Sequence, residues 1–139
     1  MDQETLLKQV QTLLDGEALA EALAERIEQK RGHLGFLLRM LKRRPRTFNP
    51  YVFKGKTLFE QPTALEPKTA ELVAVGAAAA LMCEHCLEAH IGQAVQHGAT
   101  FEEVLDAILV AGAIAESSTL SVALRKFKQL EEKHKKHRE

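Results

Sequence analysis

The sequence predicts an all-α fold, and three observations carry that expectation. Apolar residues recur at three- and four-residue steps along most of the chain, the period of one helix face. No stretch keeps up the apolar/polar alternation of a half-buried strand. Only four prolines occur, Pro45, Pro50, Pro62 and Pro67, all in the middle of the chain. At 139 residues the chain is the size of one ordinary domain. The expectation is therefore a single domain, residues 1–139, of about six or seven helices.

Each element has its own signals. Residues 3–15 carry Leu6, Leu7, Val10, Leu13 and Leu14, and Asp15-Gly16 breaks the pattern. Residues 17–31 place Leu19, Leu23 and Ile27 at four-residue steps until Gly32. Residues 34–43 read as a short helix with Leu34, Leu37, Leu38 and Leu41 inward, and Pro45 follows. Residues 46–60 are less regular, with Phe48, Tyr51, Phe53 and Phe59, and Gly55 weakens a continuous helix. Pro67 sits where a first helical residue loses nothing by lacking an N–H, although Glu66 is a mediocre cap. The Ala-rich run that follows, 67–82, is apolar on most sides and should be buried. A further helix over about 83–97 ends at His97-Gly98, with Gly at the left-handed position. Thr100 and Glu103 match a capping box that opens a helix over 101–115, where Gly112 is expected to permit close packing. The tail, 117–138, reads as a separate element with Leu120, Leu124, Phe127 and Leu130 inward; its charged end, 131–139, reads as a frayed terminus.

Composition narrows the function classes. Nineteen basic residues balance nineteen acidic ones, which disfavours a generally basic nucleic-acid binder. Aromatics are 5% of the chain, too few for base-stacking recognition of single strands. The local run Arg39, Lys42, Arg43, Arg44 and Arg46 reads as a solvated helix end, with an acidic partner or nucleic acid as the sharper alternative. The N-terminus lacks a basic n-region with an apolar stretch, and the longest apolar run, Leu72 to Met82, is shorter than a membrane span of about 20 residues. The expectation is a cytoplasmic protein with neither a nucleic acid nor a membrane as partner. In that compartment a close Cys pair points to redox chemistry or metal binding, not to a structural staple.

The segment Cys83-Glu-His85-Cys86-Leu-Glu-Ala-His90 concentrates the chemistry. On an ideal helix, at about 100° per residue, Cys83, Cys86 and His90 lie within about 60° of one face. A dithiol with an imidazole against it suits thiol chemistry. The thiolate is the nucleophile, a histidine can take the proton, and a second Cys can resolve an oxidised first one. A Cys at the start of the helix would gain further from the dipole. Three other readings stand beside this one. Two Cys can be small buried hydrophobes. Zinc could take Cys83, Cys86 and His90, but a structural site wants four ligands, and His85 points about 140° away from the Cys86–His90 side. A thioredoxin-like motif would need a strand before it, and none is visible.

The stretch Lys68-Thr-Ala-Glu71-Leu-Val-Ala-Val, the pattern Cys83-x-x-Cys86-x-x-x-His90 and Gly98-Ala-Thr-x-Glu-Glu103 together resemble the carboxymuconolactone decarboxylase superfamily. More closely they resemble its alkylhydroperoxidase D (AhpD)-like branch. The resemblance covers about residues 45–116 and is most specific over 67–105, leaving 1–44 as additional N-terminal helices. It implies an all-helical homo-oligomer, a trimer or hexamer, in which a CxxC pair reduces peroxides or exchanges disulfides. It also implies no bound cofactor and an external dithiol reductant, a lipoylated or thioredoxin-like protein.

The resemblance implies five catalytic residues. The relay glutamate falls on Glu71, the Cys pair on Cys83 and Cys86, the histidine after the pair on His90, and the histidine inside it on His85. Glu71 has an argument of its own as the only acidic residue between Pro67 and Cys83, on a helix otherwise nearly all apolar. A buried carboxylate there must be paired or neutral, although a first-turn Glu at the surface is a rival reading. The expected mechanism has Glu71 tuning His90, His90 deprotonating Cys86, and Cys83 resolving the product. The expected alternatives are a decarboxylase of the same fold and a non-catalytic helical stress protein.

Overall fold

The computed structural model describes residues 1–137; Arg138 and Glu139, the last two of the charged tail, lie outside the described residues. Among the described residues the chain is all-α: seven α-helices, one π-helical turn and no strand. The contacts divide it into two compact units, Met1–Ala70 and Glu71–Glu139.

The first unit is built around Phe48. Helix α1 (Gln3–Leu14) is capped by Asp2, whose carboxylate accepts from the Thr5 N–H at 2.8 Å. Helix α2 (Glu17–Arg31) ends at Gly32, which takes the left-handed conformation with φ 84°. Helix α3 (Phe36–Lys42) is short, and α4 (Pro45–Gly55) starts with a proline and carries a second, Pro50, inside it. The π-helical turn Lys56–Glu60 follows, so the irregularity expected around Gly55 is a change of helical pitch. Phe48, Ala20, Ala24 and Leu34 form the core of this unit, with Leu23, Ile27, Leu38, Leu41 and Val52 against it. The helix faces match the sequence periodicity only in part: the fully buried positions of α2 are two alanines, Leu37 is exposed and not inward, Leu34 is buried just before α3 begins, and the apolar stripe of α1 (Leu6, Leu7, Val10, Leu13) is exposed. Buried Asn49 donates from Nδ2 to the carbonyls of Leu14 at 2.8 Å and Gly16 at 3.0 Å, so α4 satisfies the carbonyls at the α1–α2 turn. Two members of the basic run have carboxylate partners here: Lys42 with Glu21 at 2.7 Å and Arg46 with Asp15 at 3.6 Å. That favours a solvated helix end over a docking strip for an acidic partner or nucleic acid.

The second unit comprises most of α5 (Pro67–Ala80), all of α6 (Glu84–Gln96) and α7 (Phe101–Lys136). Val75, Ala94, Ala99 and Val104 form its core, with Leu72, Leu87, Ile91, Ala107 and Ile108 packed around them. Gly76 lets α5 lie close to α7: a Cβ there would meet the Ala107 carbonyl at 3.6 Å and the Ala111 Cβ at 3.8 Å. Helix α6 ends as expected at Gly98 (φ 92°), and Thr100 with Glu103 forms the expected capping box.

Several expectations for this unit are revised. The Ala-rich run 67–82 is not buried on most sides: Val73, Ala77 and Ala80 face out, and Leu81 and Met82, beyond the end of α5, are exposed. A single helix of 36 residues, α7, runs through 101–115 and on to Lys136 where two elements were expected, so the charged end is helical to Lys136 and not frayed there. Leu120, Leu124, Phe127 and Leu130 are exposed, not inward. The reason is length: α7 runs about 54 Å against about 20 Å for the 13-residue α6, so α6 covers only its first turns. Gly112 faces open space rather than a packed neighbour. By length and composition α7 is also long and apolar enough to cross a membrane. It contains no uninterrupted apolar run of that length, because Glu116-Ser-Ser-Thr119 divides it.

Candidate active site

All five residues expected at the site lie in the second unit: Cys83, His85 and Cys86 at the turn between α5 and α6, Glu71 near the start of α5 and His90 midway along α6. Helix α5 closes in a left-handed residue that is not glycine: Met82 has φ 52°. Around it the Met82 N–H donates to the Ala79 carbonyl at 3.1 Å and the Cys83 N–H to the Ala78 carbonyl at 2.9 Å. These two bonds satisfy orphan carbonyls of α5 and reverse the chain so that α6 can begin at once. Cys83 is then the N-cap of α6, with extended backbone, and its own carbonyl accepts from Leu87 N–H at 2.9 Å.

Cys83 and Cys86 form a disulfide, with Cα atoms 5.3 Å apart. Both are partly buried, so the bond lies at the edge of the unit and not in its core. Cys83 offers no side-chain cap, which leaves first-turn N–H groups of α6 unengaged by it. That end of a helix stabilises negative charge, such as a thiolate released from the disulfide.

Glu71 and His90 form the second half of the site. Glu71 is almost fully buried, with 1% of its side chain exposed, and its Oε2 lies 2.7 Å from His90 Nδ1. A buried carboxylate accepts, so Nδ1 carries the proton and donates, and Nε2 is the ring's basic nitrogen. His90 lies one helical turn after Cys86, the separation at which side chains of one helix meet. The surface-glutamate reading of Glu71 is thereby excluded, and the buried, paired one holds.

His85 departs from the sequence reading. An ideal helix would aim it away from the Cys pair, yet its ring nitrogens lie 3.5 and 3.6 Å from Cys83 Sγ. Cys83 sits at the cap with extended backbone, outside the helical period, so its side chain comes round to meet a first-turn residue. The left-handed Met82 that sets up this geometry had no sequence signal, because glycine is the usual residue there.

The site is thus a helical turn that presents a CxxC disulfide, followed by a histidine held by a buried glutamate, in an all-α chain. The sequence profile of the carboxymuconolactone decarboxylase family matches residues 46–129, more than half of the chain, and the protein belongs to that family. The match begins within a residue of where the motif resemblance starts and runs on along α7. "Uncharacterized protein 4 in cox locus" of Paracoccus denitrificans is 33% identical over 69 residues, which is 50% of this chain and 62% of that protein. No solved structure matches the chain.

Proposed function

We propose that the protein is a thiol-disulfide oxidoreductase of the AhpD-like branch, reducing a peroxide or a substrate disulfide with the Cys83–Cys86 pair. The observation that carries this reading is the buried Glu71–His90 pair one turn from Cys86. It supplies a base of fixed tautomer one helical turn from a cysteine that already has a partner thiol.

In the reduced protein, His90 Nε2 takes the Cys86 proton, and Glu71 holds the ring by Nδ1 and stabilises the imidazolium. The Cys86 thiolate attacks the O–O bond of a peroxide ROOH. Cys86 becomes the sulfenic acid and RO− leaves with a proton as ROH. The Cys83 thiol attacks that sulfur, water departs, and the disulfide forms. An external dithiol, a lipoylated or thioredoxin-like protein, returns two electrons and two protons. A reducing cytoplasm and a homo-oligomeric state, trimer or hexamer, fit this cycle and the family. The decarboxylase alternative has no use for the Cys pair, which is why it ranks second.

The test is peroxide consumption with a dithiol donor. Cys86→Ser should abolish turnover, and His90→Ala should reduce it by about 10²–10⁴-fold. Full turnover by Cys86→Ser would refute the scheme.

A further inference from the structure

His85 has no role in that cycle, yet it is placed against the same sulfurs. The ligand atoms of Cys83, His85 and Cys86 lie within 4.8 Å of one another. A tetrahedral zinc ion with Zn–S of about 2.3 Å and Zn–N of about 2.0 Å separates sulfur from nitrogen by about 3.5 Å. The distances from Cys83 Sγ to the His85 ring nitrogens are 3.5 and 3.6 Å. The Cys–His separation is therefore within reach of a shared ion, and because both nitrogens are almost equally distant from the sulfur, the ring must turn to aim one of them at it. The Cys–Cys separation is not, because two sulfurs on one zinc ion sit about 3.8 Å apart and a disulfide holds them at bonding distance.

We propose that reduction turns this centre into a binding site for a thiophilic closed-shell cation, with zinc as the representative. Cys83 Sγ, Cys86 Sγ and one ring nitrogen of His85 hold it. The inference rests on the proposed reading only in that the pair must cycle between disulfide and dithiol. Reduction by an external dithiol adds two electrons and two protons to the disulfide. Zinc then displaces the two thiol protons, and two thiolates balance its charge. Three protein ligands leave a fourth position for water, so the site is exchangeable and not a structural staple. The N-terminus of α6 favours the thiolates the ion requires. Oxidation by the peroxide or disulfide substrate reverses the process: that substrate takes two electrons from the thiolates and is reduced, the disulfide closes and the ion leaves. The ligand set differs from the one spacing alone suggested, since His85 replaces His90, which Glu71 holds by Nδ1.

The experiment is a zinc titration of the full chain against a chromophoric chelator, in reduced and disulfide forms, with no peroxide present. Cobalt(II) in a parallel titration should show thiolate-to-metal charge-transfer absorption. The reduced protein should take up about one ion per chain and the disulfide form none, and diamide should release the bound ion. His85→Ala, with helicity checked by circular dichroism, should weaken binding by more than about tenfold. No uptake by the reduced protein, equal uptake by the disulfide form, or wild-type affinity in folded His85→Ala would each overturn the proposal. Zinc uptake without peroxide turnover would sink the peroxidase reading alone, and turnover without uptake would sink this one alone.

Discussion

At the scale of single residues, the decisive arrangement is a carboxylate out of water with one aromatic nitrogen to answer it. Glu71 is among the largest fully buried side chains of the protein, and His90 Nδ1 is 2.7 Å away. Glu71→Ala should therefore cost about 1–3 kcal/mol in denaturant unfolding, because it strips a buried donor of its acceptor. Glu71→Gln should recover most of that stability, since its amide oxygen still accepts. It should not recover turnover, because a neutral amide cannot stabilise an imidazolium as a carboxylate does. Equal activity of Glu71→Gln and wild type would remove Glu71 from the proton-handling role. Much of this site was legible in the sequence. A lone acidic residue in an Ala-rich helix announces itself, and Cys86 and His90 share one helix, where spacing is a sound guide. His85 was not legible for the same reason in reverse. Spacing arguments assume that both residues belong to the helix, and Cys83 stands just outside it.

At the scale of elements, the ends of helices decided what could be foreseen. Gly32, Gly98 and the Thr100–Glu103 box fell where expected, because each residue type has a local reason to be there. The continuity of α7 was hidden by Glu116-Ser-Ser-Thr119, polar residues that compete with the backbone and usually mark ends. Here the Thr119 hydroxyl donates back to the Ala115 carbonyl at 2.9 Å, so a polar group is satisfied without breaking the helix. The end of α5 is the strained one. A left-handed conformation costs a non-glycine residue about 1–2 kcal/mol, and Met82 is also 86% exposed, so its side chain returns little packing. Met82→Gly should accordingly raise the urea midpoint by the equivalent of about 1 kcal/mol with the m-value unchanged. A fall in midpoint would mean that the methionine side chain contributes more than the backbone strain costs.

At the scale of the whole molecule, α7 sets the main question. Ile114, Leu120, Leu124 and Phe127 are exposed on a helix that continues far beyond the packing of its first turns, and no Cβ at Gly112 would touch anything. Apolar surface of that extent on a protein in water is ordinarily covered by another chain. A second copy suits the proposed homo-oligomer, and the family match runs along α7 to residue 129. Light scattering should thus find the wild type larger than a monomer, and Leu120→Glu with Leu124→Glu should lower the mass while leaving the helical signal intact. A monomeric wild type would dismiss this role for α7. The fold class followed from periodicity, because a helix needs one apolar stripe wherever it packs. What covers the stripe lies beyond a single chain's sequence, which is why residues expected inward prove to face out.

The turn at Cys83 has a kinetic meaning as well. Its N–H is fixed to α5 through Ala78 and its carbonyl to α6 through Leu87, while Cys86 lies within the first turn of α6. Neither anchor involves sulfur, so breaking the disulfide leaves both backbones where they were. The two thiols then meet at the high effective molarity of an intramolecular reaction, with little chain entropy to lose on closure. In the proposed cycle a mixed disulfide with an outside molecule is for that reason a fleeting species, since the neighbouring thiol is already waiting to expel it.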